Sequence, residues 1–190
     1  MANLRVDKIT STETFETTGS VQFDGSGDYL SLADSSDWYF GSDNFTIECY
    51  VCPTASPSQP LIVGQWSDPY SWALQFSNNS NRNMRFLTNT ASGITDYISS
   101  GEPVPLSQWS HLAAVRNGNT LTLYLNGKEN DTFTELGTPL DINQVVSIGS
   151  VVGSQPYEGF ISNVRVIKGV ALYTSNFKPS MRELEVTAET

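Results

Sequence analysis

The chain has 190 residues, with 10 basic against 20 acidic side chains and a formal charge of −10. That length fits one domain with a self-sufficient core. The negative field repels a phosphate backbone and excludes a polybasic membrane anchor, so neither nucleic acid nor a membrane is an expected partner.

Residues 1–19 read as a polar N-terminal arm in which Leu4, Val6 and Ile9 carry the apolar contacts. The first ten residues lack the apolar core and small-residue cleavage site of a secretory leader, so synthesis in the cytoplasm is expected. A body of short strands follows over residues 20–180, and 181–190 form a polar, acidic tail. Polar ends of this kind order only when something holds them, which favours an assembly role for the arm.

Ser20–Phe23 and Tyr29–Leu32 are predicted strands around Asp24-Gly25-Ser26-Gly27-Asp28. That loop reads as a tight turn, with Asp bonding its own backbone and Gly supplying positive φ. In a helix–loop–helix calcium site position twelve would have to be acidic, and here it is Ser35. Phe45–Cys52 alternates Phe45, Ile47, Cys49 and Val51 against Thr46, Glu48 and Tyr50. Cys49 and Cys52, about 10 Å apart in extended chain, cannot form a disulfide with each other and read as ordinary strand residues.

Strands over Leu61–Trp66, Ser71–Ser77, Asn83–Thr88 and Ile94–Ser99 come next. His111–Arg116 is predicted to turn at Asn117-Gly118 into Thr120–Leu125, which turns again at Asn126-Gly127. Asn-Gly is the strongest short hairpin signal because both central residues of a type I′ turn need positive φ. Val145–Ile148 and Phe160–Ile167 complete the strands, and Val170–Ser175 reads as one helical turn. Ten or more short strands without long helices predict an all-β sandwich or barrel.

Three segments in chain order carry a family resemblance: VQFDGSGDYLSL (Val21–Leu32), FTIECYVCP (Phe45–Pro53) and QWSHLAAVRNGNTLTLYLNGKE (Gln108–Glu129). They resemble a laminin-G-like domain of the concanavalin A-like lectin/glucanase superfamily. The ending YEGFISNVRVIKGVALYTSNFKPS (Tyr157–Ser180) is similar to versions found in structural proteins of bacteriophages, marine ones in particular. The resemblance implies a jelly-roll sandwich of two antiparallel sheets. It also implies adhesion, glycan or protein binding, or, in catalytic branches, β-glucan hydrolysis.

Hydrolysis requires paired carboxylates about 5–5.5 Å apart in the retaining geometry, and the family's catalytic branch sets them on one strand. Here Glu48 is the only glutamate in a predicted strand and has no acidic partner two or four residues away. Trp109-Ser110-His111 supplies the single histidine, read as a sheet residue bonded to a neighbour, and no Gly-x-Ser-x-Gly elbow is present. Zinc lacks a ligand set, and no metal or cofactor is expected. Calcium held by Asp34, Asp37 and Asp43 is the exception the resemblance allows.

Aromatic side chains in or beside predicted loops are the candidates for stacking on a sugar or a protein partner: Trp38, Tyr39, Trp66, Tyr70 and Tyr157. Trp109 is predicted to be core by alternation, and Trp72 could be as well. The leading expectation is a non-enzymatic virion protein, a capsid decoration, knob or tail-associated subunit on the virion surface after assembly in the host cytoplasm. Its expected partners are other virion proteins and further copies of itself. The alternative is a lectin-like adhesion module for host-surface polysaccharide.

Overall fold

Period-two alternation and frequent turn residues resolve into strands in a computed structural model that describes residues 19–56, 58–77, 81–134, 136–151 and 154–180. The described strands are β1 (Val21–Asp24), β2 (Leu30–Leu32), β3 (Phe45–Pro53), β4 (Leu61–Gln65), β5 (Trp72–Phe76), β6 (Met84–Thr90), β7 (Gly93–Ile98), β8 (Ser110–Asn117), β9 (Thr120–Leu125), β10 (Lys128–Phe133), β11 (Val146–Ile148) and β12 (Glu158–Lys168). A single 3-10 turn, Ser36–Trp38, lies between β2 and β3. Val170–Ser175, read as a helical turn, is irregular, because its backbone and side chains are engaged by the sheet beneath it.

Two antiparallel sheets of six strands result, ordered β1-β12-β3-β8-β9-β10 and β2-β11-β4-β5-β6-β7. This is the predicted all-β sandwich. One face of each sheet fills the shared core. Phe45, Ile47, Cys49 and Val51 of β3 meet Trp72, Leu74 and Phe76 of β5 there, and Leu121, Leu123 and Leu125 of β9 join them. Phe40 bridges the layers, its ring stacked 4.6 Å from Phe45 and tilted 5.0 Å from Trp72. Cys49 and Cys52 are both free and buried, and burial pushes the Cys49 thiol far above its ordinary range.

The two Asn-Gly turns differ. Asn117 pairs with Thr120, so Gly118-Asn119 are the central residues, and only Gly118 has positive φ. That is the φ pattern of a type II′ turn, one residue beyond the predicted type I′ placement. Asn126 and Gly127 both have positive φ (52° and 74°), the type I′ pattern, and lead into β10. In the Asp24–Asp28 loop, Ser26 N–H donates to Asp24 Oδ1 at 2.7 Å while Gly25 and Gly27 take positive φ.

Trp109 is not core. Leu112 and Ala114 point inward on β8, so odd positions point outward, and Trp109 is 39% exposed. The outward positions of the first sheet are largely buried nonetheless. Residues 170–180 run across them as a strap, with Ala171, Tyr173 and Phe177 packed on Ala113, Val115 and Tyr124. The Tyr173 and Phe177 rings stack at 3.5 Å. Among the described residues no helix is long and apolar enough to cross a membrane. The arm residues Leu4, Val6 and Ile9 and the tail from residue 181 lie outside the described residues.

Candidate functional site

The outer face of the second sheet carries a cleft of about 180 Å³ lined by Trp66, Ser67, Asp68, Tyr70, Val151, Ser154 and Gln155. Its first wall is the β4–β5 connection. Gln65 O accepts from Ser71 N at 3.0 Å and closes a tight loop through the cis Asp68-Pro69 bond. The loop folds Tyr70 back onto Trp66, with rings stacked 4.8 Å apart at 27°. Below them lie Leu61, Ala73 and Leu87, a small apolar cluster on the outward side of the sheet. Trp66 is therefore only 7% exposed, and Tyr70 is half-buried.

The second wall comes from the β11–β12 connection. Ser154 N donates to Val151 O at 2.8 Å, Leu61 N donates to Gln155 O at 3.0 Å, and Gln75 Nε2 donates to Gln155 Oε1 at 2.7 Å. These bonds fix Gln155, in a left-handed conformation (φ 56°), across the cleft from Tyr70. The arrangement joins an aromatic floor to Ser, Asp and Gln side chains that can exchange hydrogen bonds with hydroxyls. The exposed lining is more polar than that of most small-molecule pockets, which suits a hydroxyl-rich ligand better than an apolar one.

Of the five aromatic candidates, only Trp66 and Tyr70 meet. Trp38 ends the 3-10 turn, donates from Nε1 to Ala33 O at 3.0 Å and packs partly on the main core. Tyr39 is half-buried with its ring over Gly41. Neither lines the cleft. Tyr157 is removed from the candidates altogether. It is 1% exposed and packs against Phe23 and Phe76, because its position before β12 points it between the sheets. Asp68, Ser154 and Gln155 are members that sequence reading missed, since nothing local marks two polar loops that lie far apart in the chain.

Among the described residues Glu48 is the most strongly engaged carboxylate. Fully buried on the outward side of β3, it accepts from Arg165 Nε at 2.6 Å on one oxygen, and Arg165 also forms an ion pair with that oxygen. Its other oxygen lies 2.9 Å from His111 Nε2 and 2.9 Å from the Tyr173 hydroxyl, which donates to it. Burial alone would raise the carboxyl pKa, but the bonds and charges of His111 and Arg165 outweigh it and hold Glu48 below its ordinary value. Burial and then the Glu48 charge push both Tyr50 and Tyr173 up to about 12. Locked beneath the strap, Glu48 cannot reach a substrate.

Glu129 and Glu158 also lie in strands, contrary to the sequence expectation, because β10 forms and β12 begins earlier than predicted. Asp34 is taken by Gln65 Nε2 at 2.9 Å. Among the described residues no group of three or more His, Cys, Asp or Glu could hold a metal ion.

Known structures share this fold. Domain 4 of the extracellular arabinanase AbnA from Geobacillus stearothermophilus, solved with arabinotriose, superposes with a TM-score of 0.57 at 15% identity, over 84% of this chain and 86% of that one. The heptameric SAP-like pentraxin of Limulus polyphemus gives 0.57 at 17% identity, over 77% and 74%. A carbohydrate-binding protein assigned in Bacteroides ovatus gives 0.64 at 17%, over 87% of this chain, which spans only 48% of that protein. No curated protein sequence matches the chain. The family model of the concanavalin A-like lectin/glucanases superfamily designated Laminin_G_3 matches residues 24–172, most of the length, and the chain belongs to that family.

Proposed function

We propose that this domain binds rather than catalyses, and that its ligand is a neutral glycan taken at the Trp66–Tyr70 cleft. The observation that carries this reading is the stacked Trp66–Tyr70 pair facing Asp68, Ser154 and Gln155. Sugars present apolar C–H faces and a ring of hydroxyls, and the cleft offers a partner for each. Its volume of about 180 Å³ is below the roughly 300–1,000 Å³ of pockets that enclose drug-sized ligands. It suits one ring of a longer saccharide. Asp68 and the net charge of −10 disfavour sulfated or uronic chains. The arabinotriose seen with the AbnA domain and the carbohydrate-binding assignment of the Bacteroides ovatus protein support the ligand class, though both share only the fold.

A glycan array followed by titration calorimetry tests the reading, with and without calcium. Neutral oligosaccharides are expected to bind, and Tyr70→Ala is expected to weaken them by roughly tenfold, a loss of about 1.4 kcal/mol. Absence of binding in both conditions overturns it.

The setting we propose is the surface of a bacteriophage virion, as a decoration, knob or tail-associated subunit in several copies. What supports it is the phage-like ending Tyr157–Ser180, which forms β12 and the strap. In this reading Leu4, Val6 and Ile9 contact neighbouring virion subunits, and repeated weak contacts add through avidity. Cryo-microscopy of particles made with and without the protein is expected to differ in shell or tail density. Unchanged density overturns this setting and leaves the glycan reading standing.

A further inference from the structure

A row of polar side chains crosses the outer face of the second sheet and ends in the cleft. Asp96 of β7 accepts from Arg85 of β6 on both oxygens, from Nε at 2.8 Å and from Nη2 at 2.7 Å. Arg85 Nη1 donates to Oε1 of Gln75, its cross-strand partner on β5, at 3.4 Å. Gln75 is wholly buried and donates from Nε2 to Gln155 Oε1 at 2.7 Å. Gln155 is the last member of the row and lines the cleft.

The row has a direction. A guanidinium carries N–H donors and no acceptor, so only the oxygen of a carboxamide can face it. Arg85 therefore fixes which end of Gln75 points which way. The Gln75 amide nitrogen, a donor, fixes Gln155 in turn. What remains of the Gln155 carboxamide is Nε2, which has no hydrogen-bond partner among the described residues. The cleft is thus given the donor end of this glutamine. Asp68, on the opposite wall, brings an acceptor-only carboxylate, and its backbone carbonyl is held by Gln144 Nε2 at 3.1 Å.

We propose that the sugar ring taken by the cleft carries an acetamido group, with its carbonyl accepting from Gln155 Nε2 and its N–H directed to Asp68. Arg85, outside the cleft lining, is the positioning residue. This inference rests on the glycan reading and narrows it to N-acetylated hexosamines. A hydroxyl rotates to suit a donor or an acceptor, so a polarity fixed across β5, β6 and β7 selects nothing among hydroxyls. An amide carbonyl only accepts and an amide N–H only donates, so a wall of each kind selects for that pair. The acetamido methyl can lie against Trp66 or Val151, the apolar part of the lining.

Calorimetry with N,N′-diacetylchitobiose and cellobiose, which differ in the substituent at C2, tests it. The parent is expected to bind the acetylated sugar roughly tenfold or more tightly. Gln155→Glu keeps an oxygen for Gln75 but replaces the free amide nitrogen with a second oxygen, and is expected to abolish the preference. Arg85→Glu turns an acceptor toward Gln75, so both carboxamides reverse, and the preference is expected to be lost without any contact to the sugar. Arg85→Lys keeps a donor there and is expected to retain it. Tyr70→Ala, or a merely structural lesion, weakens both sugars together and leaves their ratio unchanged. Equal affinity of the parent for the two sugars overturns the inference, as does binding of neither while other neutral glycans bind on the array; both leave the glycan reading standing. A preference that survives Gln155→Glu or Arg85→Glu overturns the assigned roles. Absence of binding to every glycan overturns the glycan reading and this inference with it.

Discussion

Glu48 shows how a single buried charge is retained in a sheet protein. Its carboxylate faces Arg165, His111 and Tyr173, each from a different element, so the partners repay its desolvation. Replacing it with Gln leaves Arg165 and His111 facing a neutral group in a buried site, and the expected loss is roughly 3–5 kcal/mol in urea unfolding. The pH dependence follows from its lowered pKa. Between the folded value and the ordinary 4.5, the unfolded chain binds the proton and the folded chain does not. The contribution of Glu48 is therefore full above about pH 4.5 and is lost as pH falls through its lower folded value. Acid titration of stability should show a shallower limb in Glu48→Gln than in the parent. At the cleft, Trp66→Ala should cost about 3–5 kcal/mol, because Trp66 caps the apolar cluster of Leu61, Ala73 and Leu87. Tyr70, half-buried at the rim, should lose binding with far less effect on the unfolding midpoint.

Among the elements, the strap and the hairpins depend on one another. Gly127 sits in the β9–β10 turn at φ 74°, and a Cβ there would lie 2.0 Å from the Phe177 carbonyl oxygen. The Gly127 carbonyl accepts from Phe177 N at 2.8 Å, and Glu129 N donates to Asn176 Oδ1 at 2.8 Å. Gly118, in the preceding turn, has a similar φ of 61°, but nothing lies within 4 Å of its added Cβ. Gly118→Ala should cost only the backbone strain of a positive-φ turn position that favours glycine, with no clash added. Gly127→Ala should cost clearly more, and only it should speed amide exchange along the strap. Equal costs in the two variants would mean that the strap contributes nothing at this turn.

At the scale of the whole molecule, closure is non-local. Val21 of β1 pairs with Ile161 of β12, and β12 also pairs along β3. Neither sheet is contiguous in sequence: β11 joins β2 to β4, and β12 joins β1 to β3. The second sheet thus cannot finish before β11 is available, nor the first before β12. Refolding is expected in the millisecond-to-second range by stopped-flow fluorescence, as for other sandwiches dominated by distant pairings. A chain ending before Glu158 should lose both sheets together, because they share one core.

The sequence by itself determined the layers. Alternation in Phe45–Val51 and Leu121–Leu125, with Gly and Asn at the turns, leaves a sandwich or a barrel as the arrangements that bury one face of each strand, and the family resemblance selects the sandwich. It also identified Trp66 and Tyr70 as loop aromatics and His111 as a bonded sheet residue, since those properties are local. Tertiary structure alone decided which loops meet. Trp66 and Tyr70 became a cleft only because the chain returns at Ser154 and Gln155, and Tyr157 joined the core only because β12 threads between β1 and β3. It also decided that outward positions of the first sheet are buried, since period two separates the two faces of a strand but does not say what will cover either of them.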